Sequence, residues 1–383
     1  MNVGLPMNDT NLGEAIYRSL GVSPAIAACG ATTMRGGSKL RPEVMEAMNA
    51  VATVMVDMDE LNRRAGEVLA RITGAEAGFV SSGSAGGLVL QAAAVVAGTD
   101  LAKMARLPDT QGMRNEIIIH RAHRFPYDQC YRAVGAQLVE VGDGRRTRPW
   151  QLEAAFGERT AAVAYLFSPR TTHNALPLTQ VCEMAHAHNV PVLVNAASFL
   201  PPRANLRRFI ADGADMVVYS GGKHVRGPQG TGILVGRKDL IEAAHANASP
   251  QQFFARGMKV AKEEIVGLVK ALELFVDDDE EVETQHYRAM SAQVVEALAD
   301  FPALEACVAH DSLDYITPHA MFRFDRGWKG RGRDQIRDAM TAGDPSIFLH
   351  DIFSPWELAV DPFNLDEREL AIVIRRLREE LAR

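Results

Sequence analysis

Along residues 59–236 two patterns of apolar positions take turns. DELNRRAGEVLARITG (59–74) spaces its apolar residues by three and four and ends on glycine, which predicts an amphipathic helix with a glycine stop. AGFVSSGSAGGLVLQAAAVVAG (77–98) reads as a short strand, a glycine–serine turn and an Ala-rich helix. NEIIIH (115–120), AQLVEVG (136–142) and AAVAYLFS (161–168) are short apolar runs of strand length. LTQVCEMAHAHN (178–189) predicts a helix, VPVLVN (190–195) a strand, ANLRRFIADG (204–213) a helix, and ADMVVYS (214–220) and GILVG (232–236) two further strands. The strand runs are nearly continuous in apolar residues instead of alternating. Both faces of the sheet are therefore expected to be covered by helices, as in a mostly parallel α/β sheet.

The last third changes character. AKEEIVGLVKALELFV (261–276) and YRAMSAQVVEALADF (287–301) predict long helices, HAMFRF (319–324) a strand, and LDERELAIVIRRLREELAR (365–383) a closing amphipathic helix. The expected division is an N-terminal segment (1–55) packing on the small domain or on a partner subunit, a large α/β domain (56–245) and a small α+β domain (246–383). No repeat and no low-complexity stretch interrupts the chain.

Composition narrows the classes. Of 383 residues, 47% are hydrophobic and 23% charged, ordinary for a globular enzyme. The 41 basic and 48 acidic residues leave a net charge of −7, which gives no support for a nucleic-acid surface. The four cysteines form no CxxC pair, so neither a zinc site nor a disulfide framework is expected, and reduced thiols suit a cytoplasmic protein. No apolar run reaches the length of a membrane span and no signal peptide is expected. DDDEEVE (277–283) reads as a solvated helix junction, and no metal site is expected.

The chemistry gathers in two stretches. VVYSGGKHVRGPQGTGILVG (217–236) runs a buried strand straight into Lys223 among glycines. An ammonium there is unfavourable unless it is paired or sheds its proton, and a lysine that does so readily can form a Schiff base; a plain loop lysine is the other reading. SSGSAGG (81–87) joins a strand to a helix. Its glycines let backbone amides approach a phosphate at the helix N-terminus and Ser84 adds a hydroxyl; alone it is also an ordinary tight turn. A phosphate cradle early, a polar residue at a mid-chain strand end and a lysine after the next strand form the layout of a pyridoxal-phosphate enzyme.

These motifs resemble the fold-type I pyridoxal-phosphate enzymes, and among them the group containing selenocysteine synthase (L-seryl-tRNA(Sec) selenium transferase) and D-glucosaminate-6-phosphate ammonia-lyase. TTMRGGSKLRPEVMEAM, VDMDELNRRAGEVLARITGAEAGFVSSGSAGG, RLPDTQGMRNEIIIHRAHRFPYD, GAQLVEVG, VPVLVNAASFLPP and SGGKHVRGPQGTGILVG have counterparts there in this order, the ammonia-lyase branch being the nearer. The resemblance implies a mostly parallel seven-stranded sheet in a large domain and a smaller α+β domain. It implies pyridoxal 5'-phosphate held by Lys223, its phosphate bound by Gly83, Ser84, Ala85 and Ser220, and His123 stacked on its ring. Ser198 would meet its phenolic oxygen. Gln229 would reach the cofactor of a neighbouring subunit in a homodimer or higher homo-oligomer. His123, within HRAHR, also reads as a core or solvated histidine.

Asn195 departs from the pattern, because relatives place aspartate there to pair with the protonated ring nitrogen. An amide carries no charge and favours an unprotonated ring, a weaker electron sink. The enzyme then runs a reaction needing less delocalisation, or another group replaces the carboxylate, or the function has changed. Ala27 also stands where relatives often have asparagine. Arg35 and Arg170 are candidates for a substrate carboxylate or phosphate, with Tyr127, His173 and Arg124 behind them; a solvated surface pair is the other reading of each arginine. The expected activity is a carbon–nitrogen lyase that eliminates from an amino acid or amino sugar acid. The rivals are a selenium transferase-like enzyme, another transferase, a racemase or an aldolase, and a cofactor-fold binding protein without turnover.

Overall fold

The computed structural model describes residues 12–168, 173–311, 315–351 and 354–383. The chain forms two compact units, Gly36–Glu280 and Met1–Arg35 with Glu281–Arg383. The sequence divisions at 55 and 245 fall inside the first unit. Helices Pro42–Val51 and Lys262–Asp277, on either side of those divisions, share one core with the sheet.

Strands are numbered along the chain: β1 (Ala25–Ala28), β2 (Ala77–Ser82), β3 (Glu116–His120), β4 (Gln137–Val141), β5 (Thr160–Leu166), β6 (Val192–Asn195), β7 (Met216–Ser220), β8 (Thr231–Gly236), β9 (Leu304–Ala309), β10 (His319–Phe324), β11 (Ser346–Leu349) and β12 (Glu357–Val360). In the Gly36–Glu280 unit seven strands lie in the order β2-β8-β7-β6-β5-β3-β4. β3 to β7 pair in parallel, and only β8 runs against its two neighbours. This is the mostly parallel, seven-stranded sheet that the apolar runs and the resemblance led us to expect. Helix α1 spans Leu12–Ser19, α2 Pro42–Val51, α3 Met58–Thr73 and α4 Gly83–Val96. α3 starts on Asp57, whose carboxylate accepts the Glu60 N–H at 2.9 Å, and stops on Gly74 at φ 74°. Both ends follow ordinary capping chemistry.

Alternation along the central strands sorts their side chains onto two cores. Val192, Val194 and Val217 face one, with α3 and helix Lys262–Asp277; Leu193, Met216 and Val218 face the other, with α4. α4 is apolar nearly all round, and its Gly87 lies so close to the sheet that a Cβ there would sit 2.4 Å from Val218 Cγ2. In the other unit β9, β10 and β12 form an antiparallel sheet, β1 pairs in parallel with β11, and helices Glu280–Leu298 and Glu367–Leu381 close a core around Phe322, Val360 and Leu377.

Candidate active site

The alternation that fills the α4 core also aims polar side chains at its carboxyl edge. Leu193 and Val218 face α4, so Asn195 and Ser220, each two residues further along its strand, face the same way. There α4 begins. Gly83 sits at φ 62°, where glycine is favoured, and its N–H donates to the Gly230 carbonyl at 2.7 Å. Its own N–H is thereby taken, and its contribution is the turn that opens the helix. The N–H groups of Ser84 and Ala85 in the first helical turn, with the Ser84 hydroxyl, remain for an anion. Gly232 of β8 keeps the floor of this cradle bare, since a Cβ there would lie 2.3 Å from the Gly83 carbonyl oxygen.

Lys223 lies three residues past β7 on a loop whose backbone is tightly held. Gly221 N–H donates to Thr231 (2.9 Å), Gly227 N–H to Gly221 (2.9 Å) and Arg226 N–H to Lys223 (2.8 Å). Arg226 takes φ 57°, a strained region for a non-glycine residue. Ser38 Oγ bridges the Gly222 and Lys223 carbonyls at 3.1 and 2.6 Å. The side chain is thus delivered from a rigid base. Lys223 Nζ donates to Ser198 Oγ, and no carboxylate pairs with it among the described residues. Burial lowers its pKa, which makes the neutral, nucleophilic amine more available than in a free lysine.

His123 is buried just after β3. Its Nδ1 accepts the Leu166 N–H at 3.3 Å, which places the proton on Nε2, and that donor has no partner among the described residues. The Tyr165 ring meets it edge-on at 4.5 Å and His120 lies 4.9 Å away. Burial first, then the neighbouring His120, pushes the His123 pKa down to about 3, so the ring is neutral at physiological pH.

The remaining sequence candidates divide. Asn195 is buried at the end of β6, with Oδ1 accepting the Ala197 N–H at 3.1 Å. Gln229 is exposed, and its side chain fills the space where Gly37 lacks a Cβ. Arg35 has no carboxylate partner among the described residues; its guanidinium lies over the Phe348 ring at 3.3 Å. Arg170 lies outside the described residues. Arg124 is committed to Asp128 and Glu140, Tyr127 is largely exposed, and His173 is exposed in a turn. Among the described residues no cluster of three or more His, Cys, Asp or Glu is arranged to hold a metal ion, and no helix is long and apolar enough to cross a membrane.

Sequence reading missed Ser38, which pins the lysine loop, and Gln91, whose amide donates to the Val194 carbonyl at 3.2 Å behind Asn195. A lone glutamine in an Ala-rich buried helix was a readable signal for the second; a serine in GGSK carried none for the first.

These residues fit pyridoxal phosphate on their own chemistry. Free N–H groups at a helix start and two hydroxyls suit its phosphate, a flat buried imidazole suits its ring, and a lysine of lowered pKa suits its carbonyl. The chain is 34% identical to D-glucosaminate-6-phosphate ammonia lyase of Salmonella typhimurium over 375 residues, covering 95% of this chain and 97% of that protein. It is 35% identical to 5'-C-glycyluridine monooxygenase-decarboxylase of a Streptomyces species, covering 95% and 92%. A solved structure of D-glucosaminate-6-phosphate ammonia-lyase superimposes with a TM-score of 0.86 at 32% identity over 98% of this chain and 99% of that one. The fold is that of the fold-type I pyridoxal-phosphate enzymes. Residues 34–301 match the model of the L-seryl-tRNA selenium transferase family, and the chain belongs to that family.

Proposed function

We propose that the protein is a pyridoxal-phosphate-dependent lyase that eliminates across the Cα–Cβ bond of an amino acid or amino sugar acid and releases ammonia. The observation that carries this is Lys223: held on a rigid loop just past β7, its pKa lowered by burial, and without a carboxylate partner among the described residues. One enzyme name, D-glucosaminate-6-phosphate ammonia-lyase, met both as a full-length relative and as a solved structure, supports the lyase reading.

Pyridoxal phosphate, when bound, supplies the carbonyl that takes up the amine and a conjugated ring that accepts charge from Cα. The protein does the rest. Ser84, Ala85 and Ser220 would hold the cofactor's phosphate, Gly83 would set the turn that presents them, and the neutral His123 ring would pack against the cofactor's ring. Ser198 holds Lys223 Nζ at a fixed place. The neutral Nζ takes the α-proton of the bound substrate. The electron pair left at Cα forms the Cα=Cβ bond as the Cβ–O bond breaks, and Nζ returns its proton to the departing hydroxyl as water. Addition of water to the resulting enamine, after its release and tautomerisation, gives a 2-oxo acid and ammonia. Arg35 is the candidate anchor for an anionic substrate group. We read the enzyme as cytoplasmic and as a homodimer or larger homo-oligomer, with Gln229 at the subunit contact. Selenium transfer to tRNA is disfavoured by the net charge of −7.

The test is the visible spectrum of the purified, cofactor-supplemented protein. A band lost on borohydride reduction, with the label mapping to Lys223 and absent in Lys223→Ala, is expected. Phosphorylated 2-amino-2-deoxy sugar acids should then release ammonia and a 2-oxo acid without any amino acceptor. An unchanged spectrum in Lys223→Ala would sink the assignment.

A further inference from the structure

The Asn195 amide has a fixed direction. Its Oδ1 accepts the Ala197 N–H at 3.1 Å, and an NH₂ group cannot take that place because it has no acceptor to offer. Nδ2 is therefore the atom turned outward. It has no hydrogen-bond partner among the described residues. The residue is 5% exposed, and this donor is the polar atom it leaves open to an occupant of the site. Strand alternation aims Asn195 at the α4 side, the side of the phosphate cradle.

On the cofactor reading above, the ring nitrogen is para to the carbon that Lys223 holds. A ring held at that carbon by Lys223 would turn its nitrogen away from the lysine, and Asn195 at the end of β6 is the residue that would meet it. A pyridine nitrogen is an acceptor when unprotonated and a donor when protonated. Two N–H donors cannot pair. Among the described residues no buried carboxylate substitutes for the charge. The two buried there in this unit are Asp128, held by Arg124 and Arg132, and Asp215, held by Arg237, His186 and the Val192 N–H beside the amino end of β7.

We propose that Asn195 donates to the ring nitrogen and keeps it unprotonated, and that this selects elimination over reactions that store charge on the ring. With a weaker sink, the electron pair released when Nζ takes the α-proton has to leave through Cβ. The Cα=Cβ bond forms, the Cβ–O bond breaks and the hydroxyl departs as water. An amino acid without a β-leaving group has no such exit, so its α-proton is exchanged slowly and it is transaminated poorly. Asn195→Asp is isosteric and leaves the Ala197 contact intact, while turning the outward donor into an anionic acceptor.

The test loads wild type and Asn195→Asp with cofactor labelled with ¹⁵N in the ring and reads the nitrogen resonance, together with α-proton exchange of alanine in D₂O. The wild type should resonate as a neutral pyridine. Asn195→Asp should move it to the pyridinium position and raise alanine exchange by about tenfold or more. A pyridinium signal in the wild type, or an unmoved signal in Asn195→Asp, overturns the proposal. If neither protein retains labelled cofactor or yields a borohydride-trapped lysine, the cofactor reading itself is wrong and this one falls with it. Retention with the wrong resonance defeats only the Asn195 role.

Discussion

His120 shows how burial alone can shift a single residue's proton affinity. It is fully buried, neither ring nitrogen has a hydrogen-bond partner among the described residues, and burial drives its pKa down to about 4. Its neutral ring packs against His123 and, 5.9 Å away, Tyr165. The unfolded chain binds a proton near pH 6.5 that the folded chain refuses, so the stability this neutral histidine contributes is present above pH 6.5 and is lost as pH falls toward about 4. One such group gives a slope of at most about 1.4 kcal/mol per pH unit. His120→Leu removes two unsatisfied nitrogens and should leave stability at pH 7 within about 1 kcal/mol of wild type. Denaturant unfolding at pH 7 and pH 5 should show a smaller acid loss in the variant. An equal loss in both proteins would place the acid sensitivity elsewhere.

At the scale of elements, the site is made by where strands end and how closely helices approach them. Gly232 illustrates the second: β8 passes directly beneath the Gly83 carbonyl, and a Cβ at 232 would meet backbone, which cannot swing aside. Gly232→Ala should therefore shift the start of α4, cost about 1–3 kcal/mol in unfolding free energy, and weaken cofactor retention by more than the stability loss explains. Equilibrium dialysis beside thermal unfolding checks both; intact retention would mean that the cradle tolerates the shift. The sheet was legible because β3 and β5–β8, buried on both faces, are nearly pure apolar runs, and α3 announced itself through Asp57 and Gly74. β1, β11 and β12 were not legible: each is four residues long, set between glycines, prolines or helices, and is recruited by partners far away in sequence. Candidate site residues could be named where chemistry constrains local sequence, as at Lys223 and the Gly83–Ser84 turn. The site was opaque where a role depends on direction. Nothing in VLVNAAS says that the Asn195 oxygen turns back to Ala197, or that the Gly83 N–H is already spent on Gly230.

At the scale of the whole molecule, the two units carry buried histidines of opposite electrostatic sense. In the Gly36–Glu280 unit His120 and His123 are held neutral. In the other unit His319, 4% exposed, has Nδ1 against the Thr317 carbonyl at 2.6 Å and Nε2 against Asp361 Oδ2 at 3.2 Å. Two acceptors demand a proton on each nitrogen. Burial alone would lower its pKa, but the Asp361 charge and hydrogen bond and the Thr317 carbonyl outweigh it, and the pKa is raised. The imidazolium is packed by Tyr315 at 5.2 Å and His350 at 5.5 Å. Gly30, at φ 71°, leaves room for the Asp361 carboxylate, which a Cβ there would meet at 2.1 Å. The sign is the reverse of that for His120. A raised pKa contributes stability fully present below the unfolded value near 6.5 and lost as pH rises through the folded value. Acid should therefore loosen the unit of the sheet, and alkali the unit of β9, β10 and β12. Hydrogen exchange corrected for its intrinsic rate, read at pH 5, 7 and 9, should show protection of β5–β7 falling on the acid side and of β10 and β12 on the alkaline side. Asp361→Asn retains an oxygen for the Phe363 N–H, which Asp361 Oδ1 accepts at 2.9 Å, but removes the charge. It should cost about 3–5 kcal/mol in the β10 unit at pH 6 and abolish the alkaline fall, because His319 is then neutral throughout. Persistence of that fall in Asp361→Asn would show that another group sets it.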